Sequence, residues 1–209
     1  MLQGLFRNGR CAAAKKLLNE MQDRGQIPST HTYCVVLDGL CKNGHISEAL
    51  SVFHTMESNG LNSHISIYSI LIDGLCKNGK FDVALGLFDE LSFKEMQPDV
   101  ITYNILIHGL CLEGLLEKAE ELLRKMEETG PTGCLPDRVT YNTIVQGCIR
   151  RKKCDKAVAL LEEMTKNGFS VDASTFSMLL HPLYTTGQDP ALLELIQKFV
   201  PKENMDVLA

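Results

Sequence analysis

The sequence predicts an all-α fold, a solenoid of helix-turn-helix units repeating every 35 residues, and three observations carry that prediction. Tyr33, Tyr68 and Tyr103 are 35 residues apart, as are Tyr141 and Phe176, with one longer step of 38 between Tyr103 and Tyr141. Other residues keep the same register: Gly9, Gly44, Gly79 and Gly114; Cys41, Cys76 and Cys111; Ala14, Ala49, Ala84 and Ala119, with Ala157 following at the longer step. Within one period, residues 65–99, two amphipathic helix patterns are separated by the stop signal Asn78-Gly79 and closed by Pro98-Asp99. A hairpin of this kind cannot bury both apolar faces alone, so neighbours must stack on it.

The elements follow in order. Residues 1–29 hold the end of a first helix, a second helix over about 12–22, and a closing Pro28-Ser29, and so read as a partial repeat. Whole repeats follow at 30–64, 65–99, 100–137 and 138–172, the third carrying three extra residues near Pro131-Thr132-Gly133. In the period 65–99 the first helix is expected over about 66–78, with Tyr68, Leu71, Ile72 and Leu75 at helical spacing, and the second over about 81–93. Ser47, Asp82, Glu117 and Asp155 open the second helices with residues suited to a positive helix end. The fourth whole repeat has Arg151-Lys152 where the others have the glycine stop, which predicts a looser inner turn. From Ala173 the pattern decays: His181-Pro182 is expected to interrupt the first helix, and Asp189-Pro190 to open a last one over about 190–200. Residues 173–209 thus read as a degenerate repeat and C-terminal cap, with a frayed polar tail from Lys202.

Composition excludes several function classes. No run of about eighteen apolar residues is present, so no membrane span and no membrane partner is expected. The acid-free start imitates a targeting peptide, but Leu2, Gly4, Leu5, Gly9 and Ala14 sit in repeat columns, so any address is expected upstream of this chain. The eight cysteines form no Cys-x-x-Cys pair and no Cys/His array. Cys41, Cys76 and Cys111 instead read as reduced packing residues against the next repeat, which implies a reducing compartment. His31, His45, His54, His64, His108 and His181 are scattered without metal spacing, and no phosphate-binding glycine loop or nucleophile elbow appears. No cofactor, no metal and no catalytic residue is expected.

The strings TYNILIHGLCLEG (residues 102–114), SIYSILIDGLCKNG (66–79) and EALSVFHTME (48–57), closing on QPD (97–99), resemble the pentatricopeptide repeat family of the pure, P-type kind. VDASTFSMLL with DPALLELIQKFVPK is similar to the C-terminal end of restorer-of-fertility-like members from plants, as would suit a C-terminal fragment. The resemblance implies a right-handed superhelix that binds single-stranded RNA at about one nucleotide per repeat and acts in an organelle, the mitochondrion rather than the plastid. It also implies other RNA-processing proteins as further partners. The tetratricopeptide signature needs an early Trp, and this chain has no Trp.

By that resemblance, bases are read by the residue after the aromatic together with the last residue of the repeat: Cys34 with His64, Ser69 with Asp99, Asn104 with Asp137, and Asn142 with Asp172. An Asn amide offers donor and acceptor to a pyrimidine edge, a Ser hydroxyl leaves room for a purine, and the Asp is expected to orient either group. The Asn/Asp repeats then favour uracil and the Ser/Asp repeat a purine, while Cys34/His64 departs from the pattern. Ile101 and Val139 occupy the position from which an aliphatic side chain wedges between bases; His31, Ser66 and Ser174 share that column. The competing reading of these polar residues is helix capping and turn formation, and of Ile101 and Val139 ordinary packing.

Electrostatics give the RNA reading qualified support. The formal net charge is −5, a poor omen for a nucleic-acid binder. The acidic excess, however, lies in the second-helix windows, whereas the first-helix windows carry Lys42, Lys77, Arg150 and Arg151 against Asp38, Asp73 and Glu113. Arg7, Lys42, Lys77 and Arg150 recur near the end of the first helices as phosphate contacts, a column that Leu112 breaks. Cations there also favour the helix dipole. The alternative function is a helical scaffold that holds a protein or peptide partner on its inner face, which the acidic balance favours.

Overall fold

The structure, a computed structural model, describes residues 1–61, 64–128 and 134–185, with side chains up to Leu179. Among these residues every regular element is a helix: α1 (Leu2–Arg7), α2 (Cys11–Asp23), α3 (Thr30–Lys42), α4 (Ile46–Ser58), α5 (Ile65–Lys77), α6 (Phe81–Phe93), α7 (Val100–Glu113), α8 (Leu116–Glu128), α9 (Arg138–Arg150), α10 (Cys154–Lys166) and α11 (Ala173–Thr185). The chain divides into two compact units, Met1–Gly109 and Leu110–Ala209, with the boundary inside α7. No described helix is long and apolar enough to cross a membrane.

In the first unit α1 packs on α3 and α3 on α5, so first helices stack on first helices, while α2 and α4 each pack on the following first helix. In the second unit α9 lies against α8, α10 and α11. Burial follows from this layering. α5, covered by neighbours on several sides, buries Ile67, Tyr68, Leu71, Ile72, Leu75 and Cys76, whereas α6 buries the single stripe Ala84, Leu87, Phe88 and Leu91. Aromatic contacts join successive repeats: Phe53 meets Tyr68 edge-on at 5.3 Å between ring centres, and Phe88 meets Tyr103 at 5.0 Å. Each such pair adds about 0.5–1.5 kcal/mol beyond the area it buries.

The cysteines have a specific counterpart. Cys41 lies against Gly74, Cys76 against Gly109 and Cys111 against Gly147, so close that a Cβ on those glycines would fall within 2.4–2.9 Å of the cysteine side chain. Phe6 meets Gly39 in the same way. Burial pushes the Cys41 thiol up to about 11 and those of Cys76 and Cys111 to about 12, as expected of unreactive packing residues.

The turns inside the hairpins use glycine where the chain turns left-handed, Gly44 at φ 77° and Gly79 at φ 69°. Asn43 and Asn78 tie these turns to the preceding layer: Asn78 Nδ2 donates to the Gly74 carbonyl at 2.8 Å and the Cys41 carbonyl at 3.3 Å, and Asn43 repeats the pattern on Gly39 and Phe6. The turn at Arg151-Lys152 is not looser than the others. Lys152 adopts φ 56°, the glycine conformation, at a cost of roughly 1–2 kcal/mol. Arg151 Nη2 meanwhile donates to the Leu112 carbonyl at 3.0 Å, taking the place of the asparagine tie.

Helix boundaries agree with the sequence reading to within a residue or two, and α6 matches it at both ends. One expectation fails. α11 runs through His181-Pro182 to Thr185 rather than breaking there. Pro182 has no N–H to give to the carbonyl four residues back, so α11 continues through it at the loss of one backbone bond and ends three residues later. The expected insertion near 131–133, the last helix over 190–200 and the tail from 202 lie outside the described residues.

Candidate nucleic-acid interface

At four of the five repeat ends, the closing residue also caps the next first helix through its side chain. Ser29 Oγ accepts from the Thr32 amide at 3.3 Å, Asp99 Oδ1 from the Thr102 amide at 2.8 Å, Asp137 Oδ1 from the Thr140 amide at 2.9 Å and Asp172 Oδ1 from the Thr175 amide at 2.7 Å. Thr102, Thr140 and Thr175 are fully buried. Asp137 and Thr140 exchange bonds reciprocally, a capping box. His64 stands at the same N-cap of α5 but makes no side-chain cap bond and is exposed. The carboxylates expected to orient base-reading residues are therefore engaged with helix starts.

Ser69 still reaches Asp99, through Thr102. Thr102 Oγ1 donates to Asp99 Oδ1 at 2.7 Å and lies 2.8 Å from Ser69 Oγ, whose one proton goes either to Thr102 or to the Ile65 carbonyl at 2.9 Å. Asn142 and Asp172 meet differently. Asn142 Oδ1 accepts from the Asp172 backbone amide at 2.9 Å, and Nδ2 donates to the Arg138 carbonyl at 2.8 Å. The orientation expected from the Asp172 carboxylate is supplied by its backbone, and these two bonds fix which way the amide points. The remaining Nδ2 hydrogen faces the Ser170 carbonyl at 3.5 Å, the weakest of the three contacts and the one a ligand edge would displace first. Asn142 is 2% exposed and Ser69 9%. Ile101 and Val139 protrude instead, 64% and 55% exposed.

Asn104 is half-buried on α7, in the first unit, and Asp137 belongs to the second. Cys34 lines a cleft of about 510 Å³ with Phe6, Arg7, Asp38 and Lys42. This cleft sits on the face where the notional phosphate column begins.

That column is not uniform. Lys42 Nζ pairs with Asp38 at 2.7 Å and Lys77 Nζ with Asp73 at 2.6 Å, each partner one turn earlier on the same helix. Arg7 and Arg150 are exposed, and no carboxylate among the described residues stands within ion-pair distance of either. The four-residue Asp-to-Lys spacing was visible in both DGLCK strings, yet the sequence reading counted the aspartates only toward net charge.

The tyrosine hydroxyls mark a second recurring cluster that sequence reasoning missed. Lys94 Nζ lies 2.6 Å from Tyr68 Oη and 2.7 Å from Glu90, and pairs also with Glu57. Burial works against the ammonium, but its bonds to Glu57, Glu90 and Tyr68 outweigh that and hold its pKa above the usual lysine range. Two repeats further along the chain, Tyr141 Oη contacts Glu163 at 2.8 Å, Glu127 at 3.4 Å and Asn167 Nδ2 at 2.7 Å, with asparagine where the earlier cluster has lysine. Among the described residues no group of His, Cys, Asp and Glu side chains is arranged to hold a metal ion.

Comparison with known proteins accounts for the recurrence. The sequence profile of the PPR repeat family matches residues 1–42, 63–112 and 136–184, well over half of the chain, and the single PPR repeat profile matches 31–61 and 101–130. A search of curated proteins finds no match. Among solved structures, the pentatricopeptide repeat protein PPR10 from maize is 29% identical, with a TM-score of 0.76 over 97% of this chain and 29% of that one. PPR10 in complex with an 18-nt psaJ RNA element is 24% identical, TM-score 0.76, over 95% of this chain and 29% of that one. The PPR domain of Arabidopsis thaliana protein-only RNase P 1, in complex with tRNA, is 19% identical, TM-score 0.68, over 85% of this chain and 92% of that one. This chain thus spans less than a third of the PPR10 chains, and all three share its fold. An all-helical solenoid whose tyrosine, cysteine, glycine and capping columns recur at the spacing seen here, matched over most of its length by that profile, belongs to the pentatricopeptide repeat family.

Proposed function

We propose that this chain binds single-stranded RNA in a sequence-dependent way, as a non-catalytic adaptor in organellar RNA processing, stability or translation. The observation that carries the reading is the column Cys34, Ser69, Asn104 and Asn142, whose members stand at one position of successive first helices in a family with relatives solved on RNA. Asn142 is held by the carbonyl one turn back and by the backbone amide of the residue that closes its repeat, and Ser69 has its one proton to give either to the carbonyl one turn back or to Thr102, which bonds Asp99. Held groups lose little side-chain entropy on meeting a base. Ile101 and Val139, exposed one turn from this column, supply apolar surface for base faces. The restorer-like C-terminal phrase supports reading the chain as a P-type member that acts in the mitochondrion rather than the plastid.

The test is base preference at one nucleotide. Asn142→Ser keeps the bond to the carbonyl one turn back, as Ser69 does, while removing the amide. Binding to short RNAs that differ at a single position is expected to move from uracil toward a purine, with discrimination of about 1–3 kcal/mol. Equal losses on every RNA would reduce the column to packing, and the scaffold that holds a peptide would become the better reading.

A further inference from the structure

We infer that the turn Arg150–Lys153 is a contact surface for the RNA backbone, and that it, rather than the lysines of α3 and α5, carries much of the electrostatic attraction. The inference rests on the RNA-binding reading above. Lys42 and Lys77 each face an aspartate of their own helix at 2.7 and 2.6 Å, so a phosphate reaching either meets a neutral pair and gains little from counterion release.

The turn after α9 differs in each respect. Arg150, Arg151, Lys152 and Lys153 are consecutive and all exposed. The residue one turn before Arg150 is Gln146, not an aspartate, and its Nε2 donates to Thr175 Oγ1 at 2.9 Å. Arg151 is committed to the Leu112 carbonyl. No carboxylate among the described residues lies within ion-pair distance of Arg150, Lys152 or Lys153, and the nearest influence is that of Glu117, whose carboxyl feels Lys153 as the smallest of several contributions, behind Lys156. The nearby Glu117 and Glu120 are turned to Lys156 at 3.5 and 2.8 Å.

The partial negative charge at the end of α9 accounts for a cation there, not for a run of them. Moreover, Lys152 holds φ 56° where Gly44, Gly79 and Gly114 hold 77°, 69° and 80°. Glycine would suit that backbone better, so what lysine adds at this position is its charge. The run also flanks the proposed base site. Asn142 lies on the same helix, eight residues or about 12 Å before Arg150. A strand whose base meets Asn142 has neighbouring phosphates within reach of these side chains.

The experiment measures binding of a labelled oligouridylate as a function of salt. Lys152→Gly with Lys153→Gln removes two charges and gives the turn its preferred residue; it is expected to weaken binding severalfold at low salt and to flatten the log–log salt slope by about 1.4. Arg150→Gln, which leaves the turn untouched, is expected to flatten it by about 0.7. Asp38→Asn with Lys42→Gln removes a pair without changing net charge and is expected to leave the slope at its wild-type value. Wild-type binding with an unchanged slope in both turn variants would overturn the inference and leave the run to an acidic protein surface. Failure of the wild-type chain to bind any RNA would instead overturn the RNA reading itself.

Discussion

Tyr68 and Tyr141 occupy one column of the repeat yet meet different charge balances. Around Tyr68, Lys94 bridges Glu57 and Glu90 and offsets one of their two charges; around Tyr141, Asn167 stands in that place and Glu127 faces Glu163 with no cation between them among the described residues. The single Tyr141 hydroxyl proton lies nearer Glu163 at 2.8 Å than Glu127 at 3.4 Å, and Asn167 already donates to the hydroxyl oxygen, so Glu127 has the weaker share of that bond. Burial and then the bond and charge of Glu163 raise the Glu127 pKa, with Arg124 and Tyr141 opposing. A carboxyl with a raised folded-state pKa favours the fold in acid, and that stability is lost as pH rises from the ordinary glutamate value through the folded one. Asn167→Lys restores the arrangement seen at Lys94. We expect it to raise stability at neutral pH by up to about 1 kcal/mol and to flatten the dependence above the glutamate range, as read from urea midpoints over a pH series. A variant with the wild-type slope would show that Glu127 is not the group being titrated.

At the scale of elements, the first helices approach one another through glycine against cysteine, and this governs which small-to-large changes are tolerated. Gly74→Ala would set a methyl 2.4 Å from the Cys41 side chain, an overpacking expected to cost about 1–3 kcal/mol. Gly86, exposed on α6 with nothing within 4 Å of an added Cβ, is the contrasting case. Gly86→Ala should stabilise by about 1 kcal/mol through helix propensity alone. Thermal melts of the two variants are expected to move in opposite directions; a destabilised Gly86→Ala would point to an unrecognised contact on the outer face of α6. The cysteine column was legible in the sequence as small packing residues, and the glycines at 39, 74, 109 and 147 were equally periodic. What the spacing did not disclose is that one column sits on the other, because that depends on how closely two helices 35 residues apart approach.

For the whole molecule, stability is distributed over neighbouring hairpins rather than concentrated in one core. In the first unit each helix touches the hairpins beside it, and the second unit is built about α9. Damage at one layer is therefore expected to stay local. Hydrogen exchange on Gly74→Ala should lose protection in α3 and α5 well before α9 and α10. Uniform loss across all helices would instead mean that the array unfolds as one cooperative body.

By itself the sequence determined the class of fold, the repeat length and most helix ends, because these depend on local signals: apolar spacing, Asn-Gly stops and capping residues within a turn of where they act. Its resemblance to the family also singled out Ser69, Asn142, Ile101 and Val139 as candidate contacts for bases. Only the tertiary structure decided what those residues do for one another. Asp99 and Asp172 close repeats in the sequence, but each turns one carboxylate oxygen to the helix start at Thr102 or Thr175, and it is the Asp172 backbone that holds Asn142 from 30 residues away. Likewise Lys42 and Arg150 share a column, yet one is neutralised and the other is not, since Asp38 stands where Gln146 does and Gln146 is drawn to Thr175 on α11. Local spacing sets where a side chain starts; which of several partners it satisfies is settled by the distances between stacked hairpins and by the rule that buried polar groups must be paired.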